Sequence, residues 1–105
     1  MQNIQLEVAT PEVQKEIISE EDLNIISFYA KKYKVQAVYL FGSMLENMNQ
    51  ANDIDLAVHG IQPRLFFKFY GKLLRHLSKP VDLIDLSLES LFTQLVKEDG
   101  IKIYG

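Results

Sequence analysis

The sequence predicts an α+β domain of the α/β type, in which a small mixed sheet is flanked by helices. Three features predict it. Short apolar runs of strand length recur as VQAVYLF, DIDLAV and VDLIDL, and segments of helical period separate them. The connections between these segments are very short, so strands and helices must pack in thin layers around one core. The chain has 105 residues with 48% apolar content, enough for one modest core and one domain over residues 1–105.

Residues 1–18 allow a short edge strand through Ile4, Leu6 and Val8, or an irregular N-terminal extension interrupted by Pro11. Ser19 followed by Asp22 has the spacing of a capping box, with acidic residues in the first turn. A helix over 20–32 follows, with Leu23, Ile26 and Ala30 on one side and lysines near its end. Residues 35–41 read as a buried strand ended by Gly42-Ser43, and 44–48 as a short helix. Residues 53–58 read as a second strand. Gly60 and Pro63 precede a helix over 64–77, and Pro80 precedes a third strand over 81–86. Ser87 caps a last helix over 88–97, Gly100 ends it, and IKIY adds a final short strand. The first two strands are too close in sequence for a long crossover. They are joined through one short helix or run antiparallel.

Composition narrows the function. A net charge of −3 argues against binding nucleic acid through bulk electrostatics. The absence of cysteine excludes disulfides and cysteine-based zinc sites and favours an intracellular chain. The N-terminus lacks the basic and apolar regions of a signal peptide, and no stretch approaches the ~18 apolar residues of a membrane span. The expectation is a cytoplasmic, soluble protein without a membrane role.

The carboxylates carry the chemistry. Asp53 and Asp55 stand two apart in a strand and therefore share a face, while Ile54, Leu56 and Val58 point the other way. Two carboxylates at that spacing, roughly 5–7 Å apart at their bases, repel each other unless a cation lies between them. Oxygen-only ligation suits Mg²⁺ or Mn²⁺. The third strand supplies Asp82 and Asp85, three apart and so on opposite faces. Position alone leaves open which of them joins the pair. The Gly42-Ser43 corner is an independent element: backbone N–H groups and a hydroxyl at a strand end receive phosphate. Phosphate beside a carboxylate-bound metal is the equipment of phosphoryl or nucleotidyl transfer.

In order, VYLFGS, NDIDLAV and VDLID resemble the motifs of minimal nucleotidyltransferases of the DNA polymerase β superfamily, across residues 35–86. The resemblance implies that fold, and it implies roles. Gly42 and Ser43 would contact the triphosphate of ATP. Asp53 and Asp55 would ligate two Mg²⁺ ions, and Asp82 would be the third carboxylate, a metal ligand that also assists the attacking hydroxyl. Stand-alone domains of this size resemble the antitoxin of a toxin–antitoxin pair whose other half is an all-helical HEPN ribonuclease. The nucleotidyltransferase moves AMP from ATP to a tyrosine of that partner. The chain departs from the pattern at Met44, Leu45 and Glu46, where basic residues are common, and at Asn52, where serine is common. The first departure keeps an alternative open: a catalytically weak binding module that neutralises its partner stoichiometrically. A homo-oligomer is compatible with so small a domain.

Other residues have plainer readings. Arg64, Lys68, Lys72 and Arg75 fall on one side of the 64–77 helix and suit an acidic partner, RNA, nucleotide phosphates or plain solvent. Phe66, Phe69, Tyr70, Leu73 and Leu77 form the opposite, core-facing stripe, and Phe67 lies off it. His59 and His76 lack metal-ligand spacing and read as structural.

Overall fold

The computed structural model describes residues 18–41, 53–87 and 91–105. In chain order these form helix α1 (Glu20–Lys32), strands β1 (Ala37–Leu40) and β2 (Ile54–His59), helix α2 (Pro63–His76), strand β3 (Val81–Asp85), helix α3 (Leu91–Asp99) and strand β4 (Ile101–Tyr104). The four strands make one mixed sheet in the order β3-β2-β1-β4. β1 runs antiparallel to both β2 and β4, while β2 and β3 are parallel. A parallel pair needs a crossover, and α2 supplies it. The expected short helix over 44–48, the Gly42-Ser43 corner and residues 1–17 lie outside the described residues.

Helix α1 begins and ends where its sequence signals lie. Ser19 is the N-cap, and its hydroxyl accepts the Asp22 N–H at 3.1 Å. Glu20, Glu21 and Asp22 stand in the first turn and Lys31 and Lys32 in the last, which complements the helix dipole. At the exit, the Val35 N–H donates to the Ala30 carbonyl at 2.8 Å and the Lys34 N–H to that of Lys31 at 3.2 Å. This is the Schellman closure, but its left-handed position holds Lys34, with φ of 60°, where glycine is usual.

The Asp22 side chain does not complete the capping box. It is buried, only 3% exposed, and its carboxylate accepts the Ser78 N–H at 3.1 Å and the Ser78 hydroxyl at 2.6 Å. A residue that the local pattern assigns to a helix start therefore ties α1 to the turn before β3.

The sheet buries its two faces unequally. Val38, Leu40, Ile54, Leu56, Val58, Val81 and Leu83 face Ile26 and Ala30 of α1 and Phe69 and Leu73 of α2, forming the main core. On the other face a smaller cluster joins Ala57, Leu86 and Val96 of α3, with Tyr39, Phe41 and Ile84 packed against it. Helix α2 starts one residue earlier than expected because Pro63 suits the first turn. Between α3 and β4 the chain turns at Gly100. A Cβ there would stand 2.6 Å from the Val96 carbonyl oxygen and 2.9 Å from that of Leu40, so the close backbone approach requires glycine.

Two stability predictions follow from these joints. Lys34→Gly relieves the left-handed strain and should stabilise the domain by about 0.5–1 kcal/mol, read as a higher urea midpoint. Asp22→Ala strands two Ser78 donors and should cost about 2 kcal/mol, with Asp22→Asn costing less because one acceptor remains. Thermal melts of the two Asp22 variants check that ranking.

Candidate functional site

The site follows from the pairing of β2 with β3. In β2, Ile54, Leu56 and Val58 are buried on the core side, so the half-buried Asp55 points to the opposite face. The register aligns Ile54 with Val81, Asp55 with Asp82 and Leu56 with Leu83. Aligned residues of neighbouring strands share a face and stand about 4.8 Å apart along the hydrogen-bonding direction. Asp55 and Asp82 are therefore side by side on the face away from the main core. Asp82 is exposed between buried Val81 and Leu83.

The geometry separates Asp82 from Asp85. Asp85 aligns with Val58 and faces the core side, and its carboxylate accepts the Ser87 N–H at 2.9 Å. That local turn occupies it at the strand end. Asp82 is the aspartate beside Asp55.

Two further features adjoin this pair. The Phe41 N–H donates to the Asp55 carbonyl at 3.1 Å, so the end of β1 lies next to Asp55. Gly42 and Ser43 are the next residues in the chain and lie outside the described residues. Asp53 is exposed immediately before β2, and the Ile54 N–H that follows it donates to the Pro80 carbonyl at 2.8 Å. This bond clamps the starts of β2 and β3 together. Asp53 nonetheless stands outside the strand ladder. Among the described residues no three carboxylate or imidazole groups gather closely enough to hold a metal on their own. The structure thus brings Asp55 and Asp82 together and leaves Asp53 at the edge of the pair. The donors fit a hard cation that takes its remaining ligands from phosphate and water, as Mg²⁺ commonly does.

The histidines stand apart from the pair. His76 stacks on Tyr29 at 5.6 Å and 20° between planes, a packing role. His59 ends β2 on the Asp55 face, four residues on, and its Nδ1 is buried without a hydrogen-bond partner among the described residues. No helix among the described residues is long and apolar enough to cross a membrane.

The family profile described as polymerase beta, nucleotidyltransferase matches residues 24–105. The chain belongs to the polymerase β nucleotidyltransferase family. No curated protein matches it in sequence. Among solved structures, the chain is similar to a toxin–antitoxin complex with AMP-PNP, at 31% identity and a TM-score of 0.64, covering 79% of this chain and 73% of the other. It is also similar to a MntA–HpeT toxin–antitoxin mutant in which two aspartates, two positions apart, are changed to glutamate. There the identity is 29%, the TM-score 0.64, and coverage 79% and 72%. A third is a tri-AMPylated HEPN toxin of Shewanella oneidensis in complex with its MNT antitoxin, at 29% identity, a TM-score of 0.60, and coverage of 80% and 70%. The mixed sheet with its helices is accordingly the polymerase β-like nucleotidyltransferase fold.

In this nucleotidyltransferase-family domain the two β3 aspartates should separate by their effect on stability. Asp85→Ala loses the Ser87 bond and should lower the unfolding free energy by about 1 kcal/mol. Asp82→Ala should be neutral or slightly stabilising, since it removes a like charge aligned with Asp55. Urea denaturation of both variants in metal-free buffer reads the difference.

Proposed function

We propose that this chain transfers AMP from ATP to a hydroxyl, a tyrosine in particular, of a HEPN-type partner protein, and so acts as the antitoxin of a toxin–antitoxin pair. The observation that carries the reading is the alignment of Asp55 with Asp82 on one sheet face in a member of a nucleotidyltransferase family. The neighbours add support. One solved complex of similar fold contains an ATP analogue, and another contains an AMPylated toxin. In a third, the changed aspartates have the same spacing as Asp53 and Asp55.

Each residue has a defined task in this reading. Gly42 and Ser43, which follow Phe41 in the chain, hold phosphate through backbone N–H groups and a hydroxyl. Asp53, Asp55 and Asp82 hold Mg²⁺. When bound, two such ions supply charge neutralisation for the triphosphate and for the oxygens at the reacting phosphorus. Asp82 accepts the proton of the acceptor hydroxyl, directly or through water. The freed oxygen forms a bond to the α-phosphorus as the bond between that phosphorus and the bridging oxygen breaks. Pyrophosphate departs with the electron pair. The acceptor is taken to be a hydroxyl of a partner protein, a reading supported by the neighbour whose HEPN toxin is AMPylated in complex with its MNT antitoxin.

A second reading, a stoichiometric binding module with little catalysis, is favoured by Met44, Leu45 and Glu46 where cationic residues would help hold phosphate. The two readings separate in one assay. Purified chain, Mg-ATP and a HEPN-type partner protein should give a partner whose mass rises by one AMP for each modified tyrosine. Asp53→Asn and Asp55→Asn should each reduce the rate by about a hundredfold or more. Undiminished transfer by the double variant would sink the catalytic reading. Partner binding without any AMP gain would support the module.

A further inference from the structure

Helix α2 has an outer surface unlike the rest of the chain. It carries four of the eleven cationic residues, Arg64, Lys68, Lys72 and Arg75, and none of the fourteen acidic ones. No carboxylate of its own helix neutralises them. Beside this row stand Phe67, 78% exposed, and Leu74, 53% exposed, which the core does not use. Between the two rows lies Gly71. A Cβ at Gly71 would meet nothing within 4 Å, so packing does not demand a glycine that costs the helix about 1 kcal/mol relative to alanine. Its missing side chain opens a hollow of ≈ 240 Å³ lined by Tyr33, Phe67, Lys68, Gly71, Lys72 and Arg75.

We propose that this hollow is a docking site for an acidic amphipathic helix of a partner protein. Phe67, Gly71 and Leu74 are spaced by four and three residues and so form a ridge with a gap. A small residue at such a gap lets a facing helix approach closely, with apolar side chains against Phe67 and Leu74. Glutamates or aspartates along one edge of that helix then meet Lys68, Lys72 and Arg75. Exposed Leu74 suits a protein better than a base stack, and the net charge of −3 opposes a long polyanion. A symmetric contact between the α2 faces of two copies is opposed, since two α2 rows would present like charges to each other.

The site is separate from the carboxylate pair. Phe69 and Leu73 seat α2 on the core face of the sheet, whereas Asp55 and Asp82 lie on the other face. The docking proposal therefore stands whether or not the chain transfers a nucleotide.

Fluorescence anisotropy tests it with three labelled probes: an amphipathic helical peptide with glutamates beside a leucine stripe, the same peptide with lysine for glutamate, and single-stranded oligouridine. The acidic peptide should bind at least about tenfold more tightly than its lysine counterpart. That affinity should fall with added salt and should drop about tenfold in Lys68→Glu/Lys72→Glu. Gly71→Gln, which fills the hollow without reversing charge, should weaken the acidic peptide similarly while raising the melting temperature. An acidic peptide no tighter than the lysine peptide overturns the proposal, as does an affinity unchanged by both variants. Tighter binding of oligouridine than of the acidic peptide overturns it in favour of nucleic acid.

Discussion

The parallel pairing of β2 with β3 is the constraint on which the rest of the molecule depends. Side chains alternate along a strand, so a slip of one residue would turn Ile54, Leu56 and Val58 out of the core and Asp55 into it. Burying an unpaired carboxylate costs several kcal/mol, and exposing three aliphatic side chains adds more. The hydrophobic pattern and the acidic pattern are thus the same signal read from two faces. The core selects one register, and that register aligns Asp55 with Asp82.

Several contacts independent of the ladder hold the start of β3 in place. Asp22 grips Ser78 from α1, the Ile54 N–H reaches the Pro80 carbonyl, and the Tyr70 hydroxyl donates to the Val81 carbonyl at 3.2 Å. They come from three different elements, α1, β2 and α2, and meet within four residues of Asp82. At the far end the Leu86 N–H donates to the Val58 carbonyl at 2.8 Å. Such concentration is what a positioned carboxylate needs, because its backbone must not drift by even part of an ångström if two side chains are to share a ligand. The buried Asp22 is best understood in this light. It does for the β3 turn what a capping residue does for a helix, satisfying donors that the turn itself leaves open.

The helix over 20–32 was legible to the residue because all its signals are local: a serine cap, acids at the start, lysines at the end. The strands were legible as apolar runs, though 35–41 narrows to Ala37–Leu40, since Val35 is taken up in closing α1. The last helix, expected over 88–97, lies at Leu91–Asp99 and ends at Gly100, as the glycine signalled. Whatever depended on distant partners was not legible. The antiparallel course of β1 and β2 and the bond from Asp22 to a serine fifty-six residues away need the register of elements far apart in sequence, and so does the choice between Asp82 and Asp85, which strand spacing left open and only the family resemblance made. Lys34 escaped notice because a left-handed closure is usually flagged by glycine. The hollow on α2 is not legible because its signal is an absence, a glycine inside a helix whose pattern is dominated by a charged row.

Two charge sets of the domain lie on opposite sides of the sheet. The carboxylates stand where β2 and β3 meet on one side of the sheet, and the cations of α2 stand on the outer surface of the other side. The sheet and its main core lie between them, so these two sets do not pair with each other. Neutralisation across the fold would have been the simpler route to stability, since like charges aligned on neighbouring strands oppose folding by roughly 0.2–1 kcal/mol per pair. The domain instead keeps these two surfaces of opposite sign apart in a chain of 105 residues, where each such increment is a sizeable part of the total. Under the two proposals above, these surfaces take two different ligands, a metal-bound phosphate at the aspartates and a protein surface at α2.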